Sequence, residues 1–273
     1  MEKINVSVIG GNGVVGRAIV NSIDSDVSNI NIIDINSRKP KFESREEIEQ
    51  QDIIFICVPT PTNNGIHDSS IIEQYVDAFN LVYQNNKQSS DYQKANNFNS
   101  LIVINSTTYV DYTKKYPDLR IVHNPEFLNE ITSFEDFLNP GHIVMGGEIN
   151  DCISLKNFYK NYTHVNKETE YFITTSQEAI DFKYMRNLKL AWDVTFWEMC
   201  HDLTQNSRKI QAMMKAKPLP TQFTVGLDGY RGFGGKCLPK DLKALIDCNQ
   251  DNEFSKSALK VLKAVDEYNR KIV

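Results

Sequence analysis

Three glycines set between a short apolar run and a helical stretch restrict this chain more than any other feature. Ile4-Asn5-Val6-Ser7-Val8-Ile9 alternates like a strand and runs into Gly10-Gly11-Asn12-Gly13-Val14-Val15-Gly16, after which Arg17-Ala18-Ile19-Val20 takes up helical spacing. Gly11, Gly13 and Gly16 match G-x-G-x-x-G in the strand–turn–helix context that the pattern requires. Gly11 is expected to allow the tight reversal, and Gly16 the close packing of helix on strand. Gly13 would let a pyrophosphate reach the backbone N–H groups of Val14 and Val15 at the helix N-terminus. A second apolar run, Ile30-Asn31-Ile32-Ile33, ends in Asp34, 18 residues beyond Gly16. A carboxylate there would hold the adenosine ribose hydroxyls and repel a 2′-phosphate, which predicts NAD rather than NADP.

The alternation continues. Asp52-Ile53-Ile54-Phe55-Ile56-Cys57-Val58 is nearly all apolar, as a central parallel strand covered on both faces should be. It stops at Pro59-Thr60-Pro61-Thr62, where proline cannot continue the ladder. Ligands bind at the carboxyl ends of such strands, so Val58, Pro59 and Thr60 are candidate cofactor contacts; the other reading is a plain proline turn. A helix is expected over 69–83, a polar surface loop over 84–99, and further strands at Leu101–Ile104, Arg120–His123, His142–Met145 and Tyr171–Thr174. From Ser176 the pattern is helical apart from a loop at about 217–236. These features predict an α/β chain. Residues 1–175 would be a Rossmann-type NAD-binding domain with a doubly wound parallel sheet, and 176–273 an all-helical central domain.

Composition excludes several classes. The chain has 273 residues, a net charge of −5 and scattered basic residues, so neither a nucleic-acid nor a membrane partner is expected. There is no signal-peptide pattern and no apolar run long enough to span a bilayer, which predicts a cytoplasmic protein. Cys57, Cys152, Cys200, Cys237 and Cys248 are far apart and form no C-x-x-C pair. They read as reduced thiols, with neither a disulfide frame nor a metal site expected.

Gly232-Phe233-Gly234-Gly235-Lys236-Cys237-Leu238-Pro239-Lys240-Asp241 holds the most reactive group. If Leu238 opens a helix, Cys237 lies at its N-terminus, where the peptide dipoles favour thiolate over thiol. Asp241 is then an i, i+4 neighbour on the same face. The competing reading is a glycine-rich loop followed by a buried cysteine. On the helix that begins near Ser176, Lys183 and Asn187 are also i, i+4 neighbours, able to donate several hydrogen bonds to an alkoxide or simply to face solvent. Asn124-Pro125-Glu126-Phe127-Leu128-Asn129-Glu130 could be a turn and a helix start whose acids the dipole favours.

In order along the chain, these segments resemble the UDP-glucose/GDP-mannose dehydrogenase family. The match runs from the glycine motif with Asp34 through VPTPT with Gly65 and Asp68, Ser106-Thr107 and NPEFL-x-E. It continues with Glu178-Ala179 followed by Lys183-Tyr184 and Asn187, and ends at GFGG-x-C-L-P-K-D. The resemblance implies oxidation of a nucleotide sugar's primary alcohol to a carboxylate with two NAD. Cys237 would form a thiohemiacetal and then a thioester. Lys183 and Asn187 would hold the oxyanion, and Asp241 would orient water or assist proton transfer. Glu126 would be the base for hydrolysis, with a water on Thr107. Glu130 would lie close by, and Lys240 would reach the NAD pyrophosphate. Phe127, Leu128, Asn129, Glu130 and Gly234 would line the sugar end. The resemblance also implies a homodimer through the central helix, where Phe182, Met185, Leu188, Leu190, Trp192, Phe196 and Trp197 supply apolar surface.

Several positions depart from the family's pattern. Family members continue for a further nucleotide-binding domain, whereas this sequence stops at Val273. Thr221 stands where the family carries an arginine, Thr108-Tyr109 replaces Val-Pro after Ser106-Thr107, and Lys236 replaces a small residue before the cysteine. The alternative to an enzyme is a non-catalytic NAD or sugar-nucleotide binder, or a homologue that depends on a partner chain.

Overall fold

The structure is a computed structural model that describes residues 3–36, 39, 41–63, 66–88, 98–204, 207–216, 233, 239–240, 242–243, 246 and 256–272. Strand β1 (Ile4–Ile9) leads through the glycine turn into α1 (Val14–Ser22) and β2 (Ser28–Ile33). There follow α2 (Arg45–Glu49), β3 (Ile53–Ile56), a hairpin of β4 (Thr62–Asn63) and β5 (Ile66–His67), and α3 (Ser70–Lys87). Then come β6 (Leu101–Ile104), α4 (Tyr112–Lys115), β7 (Ile121–His123), α5 (Ser133–Leu138), β8 (His142–Gly147), α6 (Ile149–Tyr162) and β9 (Glu170–Thr174). Helices α7 (Ser176–Leu203), α8 (Ser207–Ala216) and α9 (Lys256–Ile272) follow.

Seven strands form one sheet in the order β2-β1-β3-β6-β7-β8-β9. The pairings from β2 to β7 are parallel, the Rossmann-type arrangement that the glycine motif predicts. The chain leaves β1 for β2 on one side and returns to β3 on the other, so the switch point falls between β1 and β3. β8 departs from the expected direction and lies antiparallel to β7, with Val122 opposite Gly147 and His123 opposite Gly146. The 124–141 segment carries the short α5, whose Phe137 joins the core beside α1 and α6, and the chain re-enters beside β7 in the reverse sense. α6 then supplies a crossover to β9, which runs parallel to β8.

Alternate residues of the central strands feed two cores. Val8, Phe55 and Val103 pack with Ile19 of α1 and Phe158 and Tyr159 of α6 on one face. Ile54, Ile56, Ile102 and Ile104 pack with Ile72, Val76 and Phe79 of α3 and Tyr112 of α4 on the other. α3 reaches Lys87, further than the expected Tyr83, because Phe79 and Val82 keep its buried stripe going. Of the expected 84–99 loop, residues 89–97 lie outside the described residues.

The chain parts into two compact units, Met1–Arg186 and Asn187–Val273. The first holds the sheet and the beginning of α7; the second holds the rest of α7 with α8 and α9. Within the second unit, Asn269 of α9 brackets the backbone of Phe233, accepting from its N–H at 2.7 Å and donating to its carbonyl at 2.8 Å. No described helix is long and apolar enough to cross a membrane.

One buried side chain closes the antiparallel seam. Asn124 donates to the Val144 carbonyl at 2.8 Å and accepts from the Tyr159 hydroxyl at 2.6 Å, while its own carbonyl accepts from Asn105 at 2.7 Å. Asn124→Ala removes these side-chain bonds from a buried site. Leaving a buried hydroxyl and a buried carbonyl unpaired costs about 1–3 kcal/mol each. The substitution is therefore expected to lower the urea midpoint strongly without changing the slope, measured by circular dichroism.

Candidate active site

The glycine turn is built by close approach. Gly10 carries the positive φ, 77°, and its N–H bonds the Ile33 carbonyl at 2.7 Å. The left-handed residue of the turn is therefore Gly10, which stands just before the motif's first glycine. A Cβ on Gly10 would lie 2.3 Å from the Cys57 carbonyl oxygen, so the turn presses against the end of β3. Gly11 is needed for space, since a Cβ there would meet Ile32 Cγ2 at 2.7 Å. Gly16 is tighter still, 2.2 Å from the Gly10 carbonyl oxygen, which is the close packing of α1 on the turn that the sequence predicts. Gly13 caps α1 with extended backbone and no side chain, leaving the amides at Val14 and Val15 open at the helix start. At the end of β2, buried Asp34 accepts from the Asn12 N–H at 3.0 Å and from the Asn36 N–H at 2.9 Å. A carboxylate fixed beside a glycine-lined helix start fits a dinucleotide: amides face a pyrophosphate, and an acceptor faces the ribose.

The neighbouring strand ends are tied together. Val58 N–H donates to Ser106 Oγ at 2.8 Å, Ser106 Oγ–H donates to the Val58 carbonyl at 2.8 Å, and Thr60 Oγ1 donates to the Thr107 carbonyl at 2.7 Å. Pro59 is exposed at the rim. Tyr109 stacks on Tyr184 of α7 with ring centroids 3.7 Å apart, and His67 meets Tyr109 edge-on. Burial, reinforced by the adjacent Tyr109 phenol, pushes the Tyr184 hydroxyl up to about 12.

The start of α7 is fixed on three sides. A Cβ on Gly146 would lie 2.5 Å from the Thr175 carbonyl oxygen and 2.6 Å from Ala179 Cβ, so only glycine lets the first turn rest on β8. The Glu178 carboxylate accepts from Thr175 N–H at 3.0 Å and Thr175 Oγ1 at 2.8 Å, a capping box. Ser176 Oγ donates to Asp111 at 2.8 Å. Burial opposes ionisation of Asp111, but hydrogen bonds from Thr113, Lys114 and Ser176 outweigh it and hold the acid at about 2.

Placed this way, α7 delivers Lys183 to the NPEFL loop. Its ammonium, 7% exposed, donates to Glu126 Oε1 at 2.8 Å and to the Glu126 carbonyl at 2.5 Å. Glu126 Oε2 accepts from the Leu128 N–H at 2.7 Å. Phe127 is partly buried beside them, while Asn129, Glu130 and Asn187 are exposed. Two motifs that are weak apart, NPE and the lysine, thus meet in one ion pair. Lys183 also lines a small cleft of about 10 Å³ with Ser106, Thr107, Thr108, His123 and Pro125, room for about one water. Sequence reading missed His123. Its Nε2 accepts from the Tyr112 N–H at 3.2 Å, and burial lowers its pKa to about 4. Gly10, Gly146, Asp111 and Asn269 were also missed, since the role of each in the fold runs through a neighbour distant in sequence, Ser176 in the case of Asp111.

Cys237, Asp241 and Gly234 lie outside the described residues; Lys240 is exposed and helical. A larger polar cleft, about 320 Å³, opens at the opposite edge of the sheet, where Arg120 is already bound to Asp151 at 2.7 Å.

The sequence model for the UDP-glucose/GDP-mannose dehydrogenase family, NAD binding domain, matches residues 35–164, and that for the family's central domain matches residues 177–271. The chain belongs to this family. A UDP-glucose 6-dehydrogenase of Rickettsia bellii (strain RML369-C) is 31% identical over 246 residues, covering 84% of this chain and 52% of that protein. A UDP-glucose 6-dehydrogenase of Rhizobium meliloti (strain 1021) is 26% identical, covering 82% and 52%. The chain thus spans about half the length of the curated relatives it matches. In fold, it is similar to a GDP-mannose dehydrogenase from Pseudomonas aeruginosa, with TM-score 0.76 and 20% identity over 97% of this chain and 69% of that one. The Gly10–Gly16 turn precedes the matched NAD-binding residues, and the Glu126–Lys183 pair joins the two matched domains of the family.

Two outcomes follow for this dehydrogenase-family site. Gly146→Ala should push α7 off β8, at about 1–3 kcal/mol, the usual cost of overpacking. The change would appear as a lowered midpoint in denaturant. His123, neutral in the fold and basic when unfolded, makes stability fall as pH drops from about 6.5 towards 4, by up to about 3 kcal/mol. That loss should be flattened in His123→Asn when midpoints at pH 7 and pH 4.5 are compared.

Proposed function

We propose that this chain oxidises the C6 primary alcohol of a nucleotide sugar of the UDP-glucose kind to the carboxylate, with NAD as cofactor. The observation that carries this reading is the buried pairing of Lys183 with Glu126 beside the strand ends that flank the glycine turn. Such a pair puts a fixed positive charge where an alkoxide or oxyanion can form, and keeps a carboxylate at hand for a proton. NAD supplies the hydride acceptor for each of the two oxidations from alcohol to acid.

In this reading the amides at Val14 and Val15, with Gly11, Gly13 and Gly16 clearing the approach, hold the pyrophosphate, and Lys240 reaches it from the central domain. Asp34 holds the ribose. Val58, Pro59, Thr60, Thr107 and Glu130 border the cofactor. Phe127–Glu130, Asn187 and Gly234 contact the sugar. Lys183 and Asn187 hold the oxyanion. The Cys237 thiolate adds to the aldehyde carbon, which becomes a thiohemiacetal and, after the second oxidation, a thioester. Water activated by Glu126, with Thr107 and Asp241 orienting it, releases the acid and frees the thiol. A thiol serves here because it both adds to an aldehyde and departs from a thioester. Residues 1–175 would bind the cofactor and 176–273 carry the thiol. The exposed Phe182, Met185, Leu188, Leu190, Trp192 and Phe196 on α7 support a homodimer, which light scattering would report as a doubled mass. The cytoplasm, where thiols stay reduced, suits the mechanism.

The test is NADH formation against UDP-glucose, GDP-mannose and free sugars, counted per carboxylate. Two NADH per acid are expected from the wild type. Cys237→Ser should lower acid formation about a hundredfold or more while NAD affinity stays the same. Acid formation at an unchanged rate would remove the covalent step, and NAD binding without turnover of any alcohol would favour a non-catalytic binder. NADP should bind far more weakly than NAD, because Asp34 repels its extra phosphate.

A further inference from the structure

One turn beyond Lys183, Arg186 presents a cation that no carboxylate neutralises among the described residues. Its guanidinium carbon lies 4.6 Å from the centre of the Phe127 ring, over its face. Lys183 Nζ approaches the same ring at 5.4 Å. The two cations are i, i+3 neighbours on α7 and converge on one loop residue. Among the described residues only Lys183 has a counter-charge. Both carboxylate oxygens of Glu126 are in use, one on Lys183 and one on the Leu128 amide. Among the described residues Arg186 makes neither an ion pair nor a hydrogen bond. Arg186 is therefore a cation with no described ion-pair partner beside the Lys183–Glu126 pair.

The aromatic floor makes this a fixed feature. The Phe127 ring is held edge-on by Phe182, with centroids 5.4 Å apart and an interplanar angle of 88°, and lies 5.9 Å from His142. A guanidinium resting on a ring is desolvated on that face, while its N–H groups stay in the plane and point outward. That fork matches the spacing of two oxygens on phosphorus. We propose that Arg186, held on Phe127, is a binding site for a phosphate group of the substrate, the diphosphate of a nucleotide sugar. The proposal rests on the nucleotide-sugar reading given above. It adds to that reading a charge that would grip the part of the molecule away from the reacting carbon. Remote binding energy of this kind positions the sugar over Lys183.

The test is calorimetric titration of the full chain with UDP, uridine, inorganic pyrophosphate and UDP-glucose, with NAD affinity as the check that each variant is folded. Arg186→Gln is expected to weaken UDP about tenfold to a hundredfold, the size of a lost charge-assisted hydrogen bond. Uridine and NAD should be unaffected, and the salt dependence of UDP binding should flatten. Arg186→Lys should recover part of the loss, since it keeps the charge but not the fork. UDP and UDP-glucose affinities indifferent to Arg186→Gln would overturn the phosphate site and leave the nucleotide-sugar reading standing. Arg186-dependent binding of pyrophosphate, with no nucleotide sugar bound, would uphold the anion site and remove that reading instead.

Discussion

Burying an ammonium ion is costly unless a negative charge meets it, and the site is organised around meeting that condition for Lys183. Glu126 supplies a carboxylate oxygen and a carbonyl to the same nitrogen. For this to happen, a loop at the end of β7 and a helix that starts after β9 must be held in register. Gly146 lets the helix rest on the sheet, Glu178 caps it, and Asp111 anchors Ser176. None of these residues does chemistry. Each fixes where the lysine arrives.

The cofactor side obeys a different constraint, the space between backbones. Gly10, Gly11 and Gly16 sit where a single carbon would strike a carbonyl or a side chain, so the turn is close-packed before any ligand is considered. Its amides are left open because α1 begins with a glycine cap that offers them no oxygen. The same backbone economy that closes the turn leaves a helix N-terminus ready for an anion. Ser106 and Thr60 then tie the neighbouring strand ends to the loop that bears Thr107, so the proposed cofactor contacts and the approach to Lys183 share one scaffold.

The reversal of β8 gives the chain its particular geometry. Had it run parallel, the loop after β7 would have led into a crossover helix. Instead Asn124 stitches the antiparallel seam through Val144 and Tyr159, and the residues that follow it, Pro125 to Leu128, are kept at the sheet's edge beside α7. There they meet Lys183 and, on the Phe127 ring, Arg186.

Much of this was legible without coordinates. Glycine spacing, the acid after β2, the unbroken apolar runs of β3 and β6 and the end of strand alternation at Thr174 are local signals, because backbone sterics and side-chain periodicity act over a few residues. They determined the dinucleotide fold, its strand ends and the helical second half. The sequence also named Lys183 and Glu126, but only as members of a motif order; each alone reads as a solvated side chain. Their pairing, the left-handed turn at Gly10, the need for Gly146, the neutral His123 and the stacking of Arg186 on Phe127 were decided by tertiary structure. In each case the partner lies far away in sequence, and burial and charge depend on which surfaces the fold brings together.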